Sequence, residues 1–371
     1  MYTFTTPKIY DALEYIMSYY PDKFTEKAKT EIEIFLDHCL EGITDDSEKF
    51  LSTLIIKALK NLIEPIQGEE HIYLKKYEIP QIELFNVLID EFPFVKWGHE
   101  LANTVVFDKL KDRKKAVILD VGIGQGIQIK NLLLKLAQSE TLEDVLVVGV
   151  EPFGDALETA EKIIYDTAGE VPFNVAFTPI HAFVQDLKAN DLKGAMAGHE
   201  GDVMVVSSLA LHHIQTQEER LHVLNALREL NPAGIVLIEP NSDHFEPDFY
   251  QRFQNCYQHF YHIFKVVDNL SVDTKIKNGL KLFFGREIED ILGKEDNGER
   301  FEKHEPASKW IEKLGNCGFE VKNDFLDDLP VIQNGKIELG FMPEGFLGFT
   351  FETETVLSVI YAEAKEEVVF G

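Results

Sequence analysis

Between residues 116 and 240 short β-rich runs alternate with helical ones, and few folds accommodate that rhythm. "AVILDV" (116–121), "DVLVVGVE" (144–151), "FNVAFTPI" (173–180), "DVMVVSSL" (202–209) and "GIVLIEP" (234–240) read as strands. Helical patterns lie between them: "QIKNLLLKLAQS", "DALETAEKIIYDTA", the short "VQDLKAND" and "QEERLHVLNALREL". The strands are apolar at consecutive positions, as expected of a parallel sheet covered on both faces. After 240 the alternation stops at "FEPDFYQRFQNCYQHFYHIFKVVDNL", which is helical and aromatic, an insertion rather than a further βα unit. "SKWIEKLGNCGFEVKNDFL" then resumes as helix and strand, and "VLSVIYAEAK" reads as a last, buried strand. The expected class is α/β: a doubly wound, mostly parallel, seven-stranded sheet.

Upstream, apolar residues recur at three- and four-residue steps between 8 and 64 and again in "IELFNVLIDEF", which Pro93 ends. A further helix around 96–110 leads to the first strand. The expected organisation is an N-terminal helical cap over 1–92 and a Rossmann-like core over 93–371, with a cap insertion at about 243–305.

The turn after the first strand carries the chemistry. In "DVGIGQG" an acid, Asp120, ends the strand, and Gly122, Gly124 and Gly126 follow at alternate positions. Glycines let the backbone turn tightly and approach a ligand, and the helix that begins after Gly126 has a positive N-terminus. The spacing differs from the dinucleotide form G-x-G-x-x-G. It resembles motif I of S-adenosylmethionine (SAM)-dependent methyltransferases, in which the acid lies near the ligand's charged amino-acid end. SAM carries a sulfonium and an ammonium, which suit a carboxylate better than a phosphate would. Gln125 belongs to the same loop. Glu151 ends the next strand and can accept hydrogen bonds from ribose hydroxyls, a position shared by NAD and SAM sites. Pro152 follows it, and His181, Ala182 and Phe183 follow the third strand, where adenine-facing residues are expected. "SSLALHHI" (207–214) ends the fourth strand: Ser207 and Ser208 are assigned to the cofactor, and His212 and His213 are candidates for a general base. Capping of the next helix or packing in a polar niche is the alternative role for His212. Glu239 and His244 complete the candidate catalytic set, and Gln128, Arg252, Tyr257, Arg286 and His304 the candidate substrate set. Helical spacing along Phe249, Phe253, Tyr257, Phe260 and Tyr261 reads first as packing and second as a hydrophobic wall. No Tyr-x-x-x-Lys pair supports an oxidoreductase.

A formal charge of −28, from 36 basic and 64 acidic residues, opposes binding to phosphate backbones or anionic membranes. The three cysteines, Cys39, Cys256 and Cys317, are far apart and fit neither a zinc framework nor disulfides, so no metal is expected. The N-terminus lacks signal-peptide features and no run of 18 apolar residues occurs, which leads to the expectation of a cytoplasmic protein. A homodimer is compatible with the sequence.

Further blocks resemble the GRAS-domain family of plants. Pro93, Lys96, Ala102 and Asn103 match its Pro-x-x-Lys and Ala-Asn positions, and Gln125, Gly126 and Gln128 its Gln-Gly-x-Gln stretch. Leu211 and His212 match a Leu-His pair; Glu239, His244, Arg252 and Phe253 match a Val-Glu-Gln-Glu-Ala-Asn-His block. The fullest similarity is in Gly285, Arg286, Glu287, Ile288, Arg300, Glu302, His304, Glu305, Trp310, Gly318 and Phe319. The resemblance implies a helical cap joined to a SAM-methyltransferase-like core. Plant members are mostly transcriptional regulators and interaction proteins with degraded glycine loops and a long disordered N-terminal region. Here Gly122 and Gly124 restore the loop and the chain is expected to lack that region, so it resembles a bacterial-type member, for which an active methyltransferase is the expected state. The resulting expectation is a SAM-dependent methyltransferase acting on an O or N nucleophile of a small molecule held between cap and core, with S-adenosylhomocysteine as product. The alternative is a non-catalytic GRAS-type regulator that binds a ligand or a protein.

Overall fold

The computed structural model describes residues 9–18, 26–63, 81–294, 300–323, 325–326 and 336–365. The outer ends of several segments read from sequence (8, 64 and 324) lie outside them, as do the N-terminal stretch 1–7 and residues 295–299. The chain divides into two compact units: residues 1–92 with 242–304, and residues 93–241 with 305–371.

The first unit is helical among its described residues: α1 (Ile9–Met17), α2 (Glu26–Leu40), α3 (Ser47–Ile63) and α4 (Gln81–Glu91), and later α10 (Phe249–Asp268) and α11 (Thr274–Leu292). α3 packs against α1, α2, α10 and α11, so it is the axis of this unit. Its neighbours approach closely: a Cβ on Gly285 of α11 would lie 2.9 Å from Leu54 Cδ2. Asp248 and Asp273 cap α10 and α11 by accepting the N–H of Gln251 and Ile276 at 2.8 Å. The aromatic stripe of α10 is core, since Phe253, Tyr257 and Phe260 are all buried.

The second unit begins with α5 (Pro93–Leu110). Pro93 ends the preceding helix and also starts this one, because a missing N–H costs nothing in a first helical turn. There follow β1 (Lys115–Val121), α6 (Ile127–Leu136), β2 (Asp144–Glu151), α7 (Gly154–Ala168), β3 (Asn174–His181), α8 (Ala189–Ala195), β4 (Asp202–Ser208), α9 (Gln217–Arg228) and β5 (Gly234–Pro240). After the helical insertion come α12 (Ala307–Asn316), β6 (Phe319–Val321), β7 (Ile337–Met342), β8 (Phe346–Phe351) and β9 (Glu354–Ala364).

Among the described residues these strands form one nine-stranded sheet, order β3-β2-β1-β4-β5-β9-β8-β7, with β6 also paired to β9. β1 to β5 pair in parallel, whereas every pairing of β6 to β9 is antiparallel. The expectation of a mostly parallel, seven-stranded sheet is corrected on both counts: the fold is a mixed α/β one with a Rossmann-like half. The two added strands are the β7–β8 hairpin. Three residues join β7 to β8 and two join β8 to β9, which is too short for the crossover a parallel pair needs. Gly345, at φ +97°, makes the first turn.

Helices cover both faces. Val117, Leu119 and Val121 of β1 pack in one core with Leu192, Val223, Leu227 and Trp310 from α8, α9 and α12. On the opposite face α5 lies close enough that a Cβ on Gly98 would sit 3.3 Å from Leu357 and 3.4 Å from Ile238. The edge strand β3 tolerates Pro179 for a geometric reason. Asn174 N–H donates to Glu143 O of the neighbouring segment, so alternate residues from 174 face β2 and Pro179 falls on the free edge.

Candidate functional site

The site lies in the second unit, at the carboxyl ends of β1, β2, β4 and β5. All three loop glycines are left-handed, with φ of +82° at Gly122, +53° at Gly124 and +78° at Gly126. Each has a different surrounding. A Cβ on Gly122 would meet Ala210 Cβ at 2.4 Å, and one on Gly126 would meet Ala160 of α7 at 3.1 Å. A Cβ on Gly124 would meet nothing within 4 Å. Two of the glycines therefore serve close packing of the loop, and Gly124 alone faces open space.

Glu151 braces this loop. Its Oε2 accepts the Gly124 N–H at 2.9 Å and its Oε1 accepts the Phe153 N–H at 3.1 Å. Burial raises its pKa, and those two backbone bonds oppose the rise. Asp120 has no such support: among the described residues no hydrogen-bond donor or cation reaches its carboxyl. Burial first, and the Glu151 charge second, push it up to about 8. At neutral pH most of it is protonated.

Around the loop, His181 Nε2 lies 3.0 Å from Pro152 O, and Phe183 is exposed. Phe153 is equally exposed beside Glu151, and sequence reading passed over it; its place directly after "VVGVEP" was the available signal. Ala210, which seals Gly122, had no sequence signature.

The β4 end is tied inward. Ser207 Oγ donates to Val121 O at 3.1 Å, and Ser208 Oγ donates to Gln128 Oε1 at 2.6 Å. Asn103 Nδ2 donates to Gln128 O at 3.2 Å, so Asn103 and Gln128 link α5, α6 and β4. Glu239, fully buried, accepts the Leu211 N–H at 2.8 Å and the Ala210 N–H at 3.3 Å on Oε1. His212 Nδ1 stands 2.6 Å from Glu239 Oε2. A carboxylate only accepts, so Nδ1 is the donor and the tautomer is fixed. The His213 ring lies against His212, tilted by 50° with 4.1 Å between ring centroids. Arg220 holds the same segment from below, donating to His212 O at 2.9 Å and to Ile214 O at 3.0 Å. It also pairs with Glu305, which Lys313 contacts at 2.9 Å and Gln217 at 2.8 Å. Burial alone would raise the Glu305 carboxyl, but Arg220 and Lys313 outweigh it and leave it below its ordinary value.

The remaining candidates belong to the helical unit. His244 Nδ1 and His304 Nδ1 are 2.8 Å apart, and Ser242 Oγ lies 3.0 Å from His244 Nε2. Burial, His304, His259 and Arg300 pull the His244 pKa well below its ordinary value, so this ring is neutral. Tyr257 OH donates to Glu48 at 3.3 Å, and Arg252 donates to the carbonyls of Ile291 at 3.1 Å and Glu246 at 2.7 Å. Arg286 is buried on α11, its guanidinium 5.4 Å from the Phe283 ring centroid.

The model of the GRAS domain family matches residues 39–324. The chain belongs to the GRAS domain family. It is 24% identical over 292 residues to GRAS family protein RAD1 of Medicago truncatula, covering 70% of this chain and 54% of that protein. To the Scarecrow-like transcription factor PAT1 of Arabidopsis thaliana it is 23% identical over 297 residues, 76% of this chain and 57% of that one. The chain thus spans about half the length of the curated relatives it matches. The crystal structure of SCL7 from Oryza sativa superposes with a TM-score of 0.79 at 21% identity, over 96% of this chain and all of that one. This likeness shows a shared fold.

These relatives overturn the enzymatic expectation. The named proteins are a GRAS family protein and a transcription factor, not methyltransferases. A methyltransferase domain of a citrinin polyketide synthase superposes at a TM-score of only 0.48, too loose to carry an argument. Methyl transfer to a small-molecule substrate, with release of S-adenosylhomocysteine, is therefore withdrawn. Of the base candidates, His244 is buried with its pKa held well below the ordinary value. Among the described residues no helix is long and apolar enough to cross a membrane.

Proposed function

We propose that this chain is a non-catalytic regulator of GRAS type that acts by binding, and that its glycine loop holds SAM as a bound ligand. Membership of the GRAS family carries the regulatory reading, because named relatives include a transcription factor. The ligand is supported by the loop itself: Gly124 opens onto free space while Gly122 and Gly126 are committed to packing. Asp120 and Glu151 provide an acidic surrounding, which fits a cationic ligand and disfavours a phosphate. In this reading the chain is a bacterial-type, methyltransferase-like member of the family that acts in the cytoplasm, and the intact glycines Gly122, Gly124 and Gly126 support it. Its partners in regulation are other proteins.

Calorimetric titration with SAM and with S-adenosylhomocysteine tests this. The wild type is expected to bind both, and Gly124→Arg to bind neither while staying folded, its thermal midpoint lowered only by the cost of a side chain at positive φ, about 1 kcal/mol. Unchanged binding by Gly124→Arg removes the loop as the site. Catalytic release of S-adenosylhomocysteine from SAM in the presence of a cellular metabolite extract contradicts the regulatory reading.

A further inference from the structure

We propose that Ser242 is a nucleophile activated by His244, and that it takes up a small acyl group from an activated ester or thioester. The residues concerned all belong to the helical unit, apart from the glycine loop. Ser242 Oγ lies 3.0 Å from His244 Nε2, and the opposite nitrogen of that ring, Nδ1, lies 2.8 Å from His304 Nδ1. His304 Nε2 in turn stands 3.3 Å from Glu302 Oε2. A hydroxyl beside a base that a further group orients is the arrangement that activates a serine. The order of protons follows from the acid end. A carboxylate attracts an N–H, which puts the His304 proton on Nε2 and leaves its Nδ1 to accept from His244 Nδ1. His244 Nε2 is then the acceptor for the Ser242 hydroxyl.

Several bonds hold the pair in place. The His304 carbonyl accepts the N–H groups of His244 at 3.0 Å and Phe245 at 3.1 Å, and Arg300 donates to His244 O at 2.7 Å. Asn255 of α10 donates to Asp243 O at 2.8 Å. Phe260 lies parallel to the His244 ring to within 10° at 6.0 Å, and His259 meets it edge-on at 5.4 Å. Ser242 is 9% exposed, against 0% for His244, 1% for His304 and 2% for Glu302, so the hydroxyl end of the chain of groups is nearest solvent. Burial, with the charges of His304, His259 and Arg300, keeps His244 in the neutral, proton-accepting form. The small exposure suits a small acyl donor, and a net charge of −28 disfavours a phosphoryl one. Alanine stands at the place of Ser242 in the Val-Glu-Gln-Glu-Ala-Asn-His block that Glu239 and His244 match, so the hydroxyl departs from that pattern. In the reaction Oγ bonds to the acyl carbon while its proton passes to His244 Nε2. The bond from that carbon to the alcohol or thiol breaks, and the leaving group takes the proton. The products are acylated Ser242 and a free alcohol or thiol.

The test treats the full chain with p-nitrophenyl acetate and follows p-nitrophenol release, intact mass and peptide mapping. The wild type is expected to release a burst equal to the protein present and to carry the acetyl group on Ser242. Ser242→Ala, which installs the alanine of the matched block, should fold and lose both burst and adduct. His244→Gln should slow acylation about 100-fold or more, the usual share of a general base. The wild-type burst rate should be flat from about pH 6.5 to about pH 8.5, because His244 is already neutral at the lower end. An unassisted hydroxyl reacts as its alkoxide and would quicken about tenfold per pH unit. Circular dichroism checks the fold of both variants; should His244→Gln not fold, Ser242→Ala and the pH profile decide. A wild type without burst or adduct, a burst that persists in Ser242→Ala, a folded His244→Gln that reacts at the wild-type rate, or a rate that climbs with hydroxide overturns the proposal. Release that continues past the burst is turnover rather than uptake and overturns it as well. None of these outcomes bears on the glycine loop, which the SAM titration reads.

Discussion

Gly122 and Gly124 are two residues apart in one loop, both with positive φ, and replacing each with alanine should have unequal effects. Placing a Cβ at positive φ costs about 1–2 kcal/mol for either. Alanine also restricts the unfolded chain, which returns about 0.4–1 kcal/mol. Gly124→Ala incurs only this balance, about 1 kcal/mol, because its Cβ meets nothing within 4 Å. Gly122→Ala adds a steric term, since its Cβ would stand 2.4 Å from Ala210 Cβ. That contact must open by more than 1 Å, and overpacking of this kind costs about 1–3 kcal/mol. The neighbour cannot easily yield: Ala210 has no rotamer to change, and Glu239 holds its N–H. The expected loss is about 2–4 kcal/mol for Gly122→Ala against about 1 for Gly124→Ala. Urea unfolding of the full chain, followed by circular dichroism, measures both. The double variant Gly122→Ala with Ala210→Gly should recover the steric part, a coupling of about 1–3 kcal/mol. Equal losses within about 0.5 kcal/mol, or no coupling with Ala210→Gly, would refute the assignment of Gly122 to packing.

Three further outcomes follow from the same geometry. The folded Asp120 pKa, about 8, lies above its ordinary 3.8, so its stabilising share is full below pH 3.8 and lost as pH rises through 8; Asp120→Asn should therefore be the more stable protein at pH 8–9, by at most about 6 kcal/mol, as read from thermal melts. Arg220→Met should cost about 3 kcal/mol in urea unfolding, because it leaves Glu305 buried with Lys313 and Gln217 alone and frees the carbonyls of His212 and Ile214. Glu305 is held below its ordinary value, so its contribution is present above that value and lost as pH falls; the same variant should show a flatter acid limb, and an unchanged one would count against the pairing. Glu239→Leu should destabilise by about 3 kcal/mol or more, since it orphans the N–H groups of Ala210 and Leu211, whereas Glu239→Gln should cost only about 1 kcal/mol because its amide oxygen still accepts and His212 can change tautomer.

Much of the parallel half was legible because its signals are local. The strands over 144–151 and 234–240 are unbroken apolar runs bounded by acids, glycine or proline, and they stand where the runs do. The β7–β8 hairpin was not legible. Gly340 and Gly348 interrupt its strands, and its burial depends on β9, not on its own pattern. The site divides in the same way. Asp120, Glu151 and the three glycines could be picked from spacing, and the structure gathers them at the ends of β1 and β2. Ala210 against Gly122, and Arg220 with Glu305, could not, because each contact joins residues 85 or more apart in the chain.

The sequence alone determined an α/β chain with a helical insertion, a glycine loop after the first strand and membership of a recognisable family. The first three follow from periodicity and spacing, which act over a few residues, and the family from residue blocks that resemble its known members. Strand order, the antiparallel edge, and which glycine packs and which faces open space were decided only by tertiary structure. They depend on distant segments meeting: among the described residues Asp120 receives no hydrogen-bond donor, whereas Glu151 receives two.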